Sequence, residues 1–304
     1  MKHPDMPLPN PGNTNPGSTA PVVATSIGQL LVATGRLQAQ DIARIEAKQR
    51  EAAMPFGEAA IALGLLQRDD LDFALSRQFN YSYLPAQDAG VAPQVVTAYK
   101  PFGPVGEQFR ALRSQLLLRW YKPEALANTL AVVSAQRGDG RSFVAANLAV
   151  VFAQQGQRTL LVDANLRHPQ VDQWFKPAGN GTAKSPGLAA ALAGRAEGEL
   201  WQTVPQLTGL SVLPAGAQPP NPQELLAGAA FGPLLHHART CFDVIIIDTP
   251  ASAEVADAEL VASRAGAALL VARQNATAVK HCQSLTQRLQ DAGVHLAGCI
   301  INGA

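Results

Sequence analysis

The sequence predicts a doubly wound, mostly parallel α/β sheet from about Phe102 onward, preceded by a small all-α domain. Three observations carry that prediction. A glycine loop, SAQRGDGRSF (Ser134 to Phe143), lies between a short apolar β-branched run and an apolar helical run. Two more apolar runs end on aspartates, Asp163 and Asp248. Upstream, a 24-residue pattern occurs twice. The chain has 304 residues, 47% hydrophobic and 15% charged, enough for two globular domains. A formal net charge of +1 argues against a nucleic-acid partner held by bulk electrostatics.

In chain order, residues 1–22 are rich in Pro, Asn and Gly and lack the apolar core of a signal peptide, so a disordered tail is expected. Residues 23–84 form the helical repeat domain. Ser26–Gln49 aligns with Pro55–Gln78 at an offset of 29, with seven of 24 positions identical, among them Gly28/Gly57, Gly35/Gly64, Leu37/Leu66 and Asp41/Asp70. Each copy reads as short helix, turn, longer helix, with the second glycine at a left-handed helix end. Residues 85–101 are expected to be a linker, lying in a proline-containing stretch. The domain proper runs from 102 to 304. Cys241, Cys282 and Cys299 show no CxxC spacing and are expected to be buried thiols rather than disulfides or metal ligands. No segment is apolar for long enough to span a bilayer, so membrane association is expected through a partner.

The domain opens with Glu107, Arg110 and Arg113, three residues apart on one helix face, a pattern that by itself reads as a solvated charge stripe. Thr129–Ser134 reads as a buried strand, the loop follows, and SFVAANLAVVFAQQG reads as a helix ended by Gly156. That order makes a phosphate loop credible. Gly138 and Gly140 admit close backbone approach, and successive N–H groups at a helix start face an anion. The expected nucleotide-binding run is Gly138, Asp139, Gly140, Arg141, Ser142 and Phe143. Ser142 stands where a hydroxyl ligates Mg²⁺, and Asp163 and Asp248, at strand C-termini, complete the expected metal set. Asp163, Arg141 and Asp248 are the expected catalytic residues. Arg141 replaces the lysine usual in such loops, keeping its charge but not its compact shape.

Two resemblances follow. Residues 26–78 resemble the tandem-repeat domain of type II secretion and pilus-extension ATPases. Some members bind cyclic di-GMP, but the arginine that leads each motif is here Ser26 or Pro55. Protein docking is the other reading of that domain. From Phe102 onward the chain resembles the bacterial tyrosine kinases of exopolysaccharide chain-length control, a P-loop family. The carrying motifs are the ExxRxxR run, Asp163-Ala164-Asn165-Leu166-Arg167 (family form DxDxR), Ser185–Leu188, Leu213–Gly216, Asn221–Leu226, the run FDVIIIDTP, ADAEL, and Leu296–Asn302. The resemblance implies ATP and Mg²⁺ as cofactors and self-association through Glu107, Arg110 and Arg113. It also implies a cytoplasmic protein held at the inner membrane by a membrane-embedded polysaccharide chain-length regulator. It departs at Arg141, at Asn165 and in its tyrosines, since Tyr81, Tyr83, Tyr99 and Tyr121 all precede the loop. A slow kinase and a nucleotide-binding pseudokinase scaffold therefore both stay open. The septum-site and partition ATPases are the third reading, against which Gln136 stands in place of their signature lysine.

Overall fold

A computed structural model describes residues 26–78, 84, 90–122, 127–175, 185–253 and 255–303. The expected tail at 1–22 lies outside the described residues, as do Tyr81 and Tyr83. The chain divides into two units, 1–65 and 66–304.

The first unit holds α1 (Ile27–Ala33), α2 (Asp41–Ala52) and α3 (Phe56–Ala62). Ser26, at the position of the first missing arginine, closes a capping box with Gln29 on α1. The helix boundaries repeat the sequence pattern: α3 starts and ends 29 residues after α1. Gly35 and Gly64 take the same left-handed turn, at φ +70° and +67°.

The second unit begins with α4 (Arg68–Gln78), α5 (Val96–Tyr99) and α6 (Pro104–Arg119). It continues β1 (Thr129–Ser134), α7 (Arg141–Gln154), β2 (Thr159–Asp163), α8 (Val171–Trp174) and α9 (Gly187–Leu192). Next come β3 (Gln202–Thr203), β4 (Leu210–Leu213), α10 (Pro222–Ala227), α11 (Phe231–Cys241) and β5 (Val244–Asp248). The last elements are α12 (Asp257–Ala265), β6 (Ala267–Arg273), α13 (Val279–Asp291) and β7 (His295–Asn302). The strands form one sheet in the order β3-β4-β2-β5-β1-β6-β7, parallel throughout except for the β3–β4 pair.

Both faces are covered, and the strands therefore read as unbroken apolar runs rather than alternating ones. Leu130 and Val132 enter one core with α6 and α7; Ala131 and Val133 enter the other with α11, α12 and α13. The motif segments around Gly187 and Gly216 meet, with Leu188 N–H donating to Pro214 at 2.8 Å and Ala189 N–H to Ala215 at 2.9 Å.

Two expectations are corrected. Residues 90–101 do not behave as linker: Val91, Val95, Thr97 and Ala98 are buried. Thr97 N–H donates to the Asn147 amide oxygen of α7 at 2.9 Å, and Asn147 donates to the Gln94 carbonyl at 3.0 Å. A polar pair inside the core gave no apolar signal to read. The cysteines, too, are not buried: Cys241 and Cys282 are half-exposed and Cys299 is exposed, since β7 is an edge strand.

Candidate active site at the phosphate loop

β1 and α7 place the loop at the C-terminal end of the sheet, where open parallel sheets bind ligands. Gly140 precedes α7 at φ +97°, and a Cβ there would lie 2.2 Å from the Asn302 amide nitrogen. Only glycine fits. Asn302 in turn donates to the Asp139 carbonyl at 3.1 Å, so the last strand braces the loop. A cleft of about 240 Å³ opens here, lined by Gly138, Gly140, Arg141, Ser142 and Phe143 on the loop side and by Asn165, Arg167, His168, Gln170 and Trp174 opposite.

The expected residues divide into those that face the cleft and those that shape it. Ser142 faces it and donates to Asp248 Oδ2 at 2.5 Å. Phe143 lines it and packs edge-on against Phe109 with centroids 5.8 Å apart. Asp139 turns inward, 2% exposed, accepting from Gln136 N–H at 2.9 Å and Thr277 Oγ1 at 2.6 Å. Arg141 folds under the loop. Its Nε donates to the Thr249 carbonyl at 2.9 Å, and its Nη1 donates to the Gln136 carbonyl at 2.8 Å and to Ser134 Oγ. The guanidinium thus braces the loop from below.

Asp163 and Asp248 are register partners on adjacent strands, both fully buried. Asp163 accepts three backbone N–H bonds, from Asn165 at 3.0 Å, Gln170 at 3.0 Å and Val171 at 3.1 Å. Asp248 accepts the Ser142 hydroxyl, while its Oδ1 has no partner among the described residues. Burial and the Asp248 charge push Asp163 up to about 8. Burial pushes Asp248 up to about 6, against the Ser142 hydroxyl and the Arg141 charge. Burial and mutual repulsion thus favour one protonated carboxyl in the pair near neutrality. An orphaned buried carboxylate oxygen beside the Ser142 hydroxyl is the donor set a hard cation such as Mg²⁺ requires.

Asn165 closes a turn. Its Nδ2 donates to the His168 carbonyl at 2.9 Å and its Oδ1 accepts from His168 N–H at 3.1 Å. An aspartate could not make the first bond. Arg167 pairs with buried Asp257 at 2.9 Å, joining the DxDxR and ADAEL motifs. Within the ExxRxxR helix, Arg110 bonds Glu107 and the Pro101 carbonyl, and Arg113 donates to the Val151 carbonyl at 2.6 Å. Sequence reasoning missed Gln170, Trp174 and the Asn165–His168 turn. The signal available was the Asn itself, a residue that favours such local turns.

No family model matches the chain. A tyrosine-protein kinase, Etk, of Escherichia coli K12 is 36% identical over 199 residues, 65% of this chain. A putative tyrosine-protein kinase in the cps region of Klebsiella pneumoniae is 34% identical over 197 residues. The match spans about a quarter, 26%, of the length of those curated relatives. Among solved structures, the kinase domain of Escherichia coli Etk superposes with a TM-score of 0.65 at 30% identity, covering 75% of this chain and 92% of that one. The BceF tyrosine kinase domain superposes with a TM-score of 0.61 at 27% identity, covering 75% and 96%.

Proposed function

This chain belongs to the bacterial tyrosine-kinase family, and from that premise we propose that residues 135–142 bind ATP with Mg²⁺ for protein-tyrosine phosphorylation in surface-polysaccharide production. The observation that carries this reading is the Ser142–Asp248 bond beneath a glycine cradle, with Asp248 Oδ1 left without a partner. Loop amides at the start of α7 hold the phosphates. Ser142 and Asp248 hold the metal, which when bound offsets charge on the phosphate oxygens. Asp163 positions the 163–171 loop through three amides, so the wall carrying His168, Gln170 and Trp174 stays opposite the phosphates. The cps-region relative supports the polysaccharide role. The membrane-embedded partner and self-association through Glu107, Arg110 and Arg113 belong to the same proposal, as does a peripheral place at the inner membrane. No described helix is long and apolar enough to cross a membrane.

A second reading, a nucleotide-binding scaffold of low turnover, is favoured by two details. Arg141 is engaged beneath the loop, and Asn165 is engaged with His168. Calorimetric titration with ATP and Mg²⁺, beside a phosphotyrosine assay, tests both. Saturable Mg²⁺-dependent binding is expected in either case. Turnover rising about 10²-fold or more in Arg141→Lys selects the impaired enzyme, on the scale of one preorganised charged group. Folded protein that binds no nucleotide at millimolar concentration overturns both readings.

A further inference from the structure

A second cavity, of about 530 Å³, lies at the opposite end of the sheet, where β1, β6 and β7 begin. Arg119, Trp120, Lys122, Arg239 and His295 line it, and among the described residues no carboxylate does. Arg239 is half-buried and oriented: Nε donates to Thr129 Oγ1 at 3.0 Å, and Nη2 to the Arg264 and Ala265 carbonyls, both at 3.1 Å. Every one of those acceptors is neutral. Its Nη1 has no partner among the described residues, and burial pushes the group below the usual arginine range. Arg119 and Lys122 likewise have no acidic partner among the described residues. Trp120 is 3% exposed, and its indole N–H has no acceptor there.

Cations gather at helix C-termini for an ordinary reason, the partial negative charge of the last carbonyls. The ends of α6, α11 and α12 lie here and offset about half a charge each. Among the described residues, three permanent cations leave an excess of about one and a half charges. Arg239 is held half-buried with no opposite charge among the described residues, and exposed Arg119 and Lys122 stand beside it, so an anion seated on all three gains most from the Arg239 guanidinium.

We propose that this cavity binds a phosphate monoester dianion, gripped by Arg119, Lys122 and Arg239. The charge matches a dianion better than a single carboxylate. The volume, within the range of small-ligand pockets, leaves room for a small organic body on the ester oxygen. A soluble phosphate ester and the headgroup of a phosphatidate lipid share this chemistry.

The test uses the full chain in excess Mg²⁺ and ADP, which fills the phosphate loop. Glycerol 3-phosphate is titrated by calorimetry, and cosedimentation is measured with vesicles of phosphatidylcholine with and without phosphatidate. Binding of one probe is expected, and the arm that responds identifies the source. The double variant Arg119→Gln/Lys122→Gln should bind that probe about tenfold or more weakly, the scale of losing hydrogen bonds to charged groups, with ADP affinity unchanged. Failure of both probes to bind the parent, or equal binding by the double variant, overturns the proposal.

Discussion

Asp163 and Asp248 stand side by side at the ends of adjacent strands, and the fold gives them different surroundings. Asp163 is saturated by three backbone amides and folds a loop. Asp248 accepts one hydroxyl and keeps an unpartnered buried oxygen. The same residue type at the same sheet level is therefore saturated in one strand and left with an unpartnered oxygen in the next, where we propose that it supports the metal. What differs is the number of donors the following loop supplies.

The largest test removes the structural member. Asp163→Ala leaves three buried amides without an acceptor, and each such loss costs about 1–3 kcal/mol. Unfolding of the P-loop domain in urea should show a loss of about 3 kcal/mol or more. A loss under about 1 kcal/mol would erase the contrast, because the three amide bonds of Asp163 would then contribute little to the fold.

Asp248→Asn should do the reverse. Affinity for ATP with Mg²⁺ is expected to fall about 10–100-fold, while nucleotide affinity without Mg²⁺ and the urea midpoint hold steady. Unchanged Mg²⁺ dependence would show that Asp248 does not support the metal.

Acidity sharpens the comparison further. Both carboxylates are raised, so a metal bound there would expel a proton from the pair, and affinity for ATP with Mg²⁺ should climb across pH 6–8, by up to about tenfold per unit. Stability runs the other way. With folded values above the ordinary aspartate value, the pair's contribution is fully present below about pH 4 and is lost as pH rises through about 6 and about 8. Calorimetry in buffers of different ionisation heat measures the proton release; none would mean the pair is already ionised.

The smallest effect concerns the neighbouring turn. Asn165→Asp removes the bond to the His168 carbonyl and sets a carboxylate against it, costing about 1–2 kcal/mol. The melting temperature should drop by a few degrees with no gain in Mg²⁺ affinity. A gain would show that residue 165 reaches the metal and that the turn is incidental.

Much of this architecture follows from local pattern. The strand–loop–helix order at Ser134, the apolar runs ending on Asp163 and Asp248, and the 29-residue repeat are read from periodicity and glycine spacing. They reflect interactions between near neighbours in the chain. Local pattern did not show that Thr97 docks on Asn147, that Asn302 braces Gly140, or that Arg141 turns beneath its own loop. Nor did it show that cavity-lining groups from three distant segments, Arg119 with Lys122, Arg239 and His295, meet at one cavity. Those facts depend on which distant segments the sheet order brings together, and on where burial leaves a charge without an opposite one.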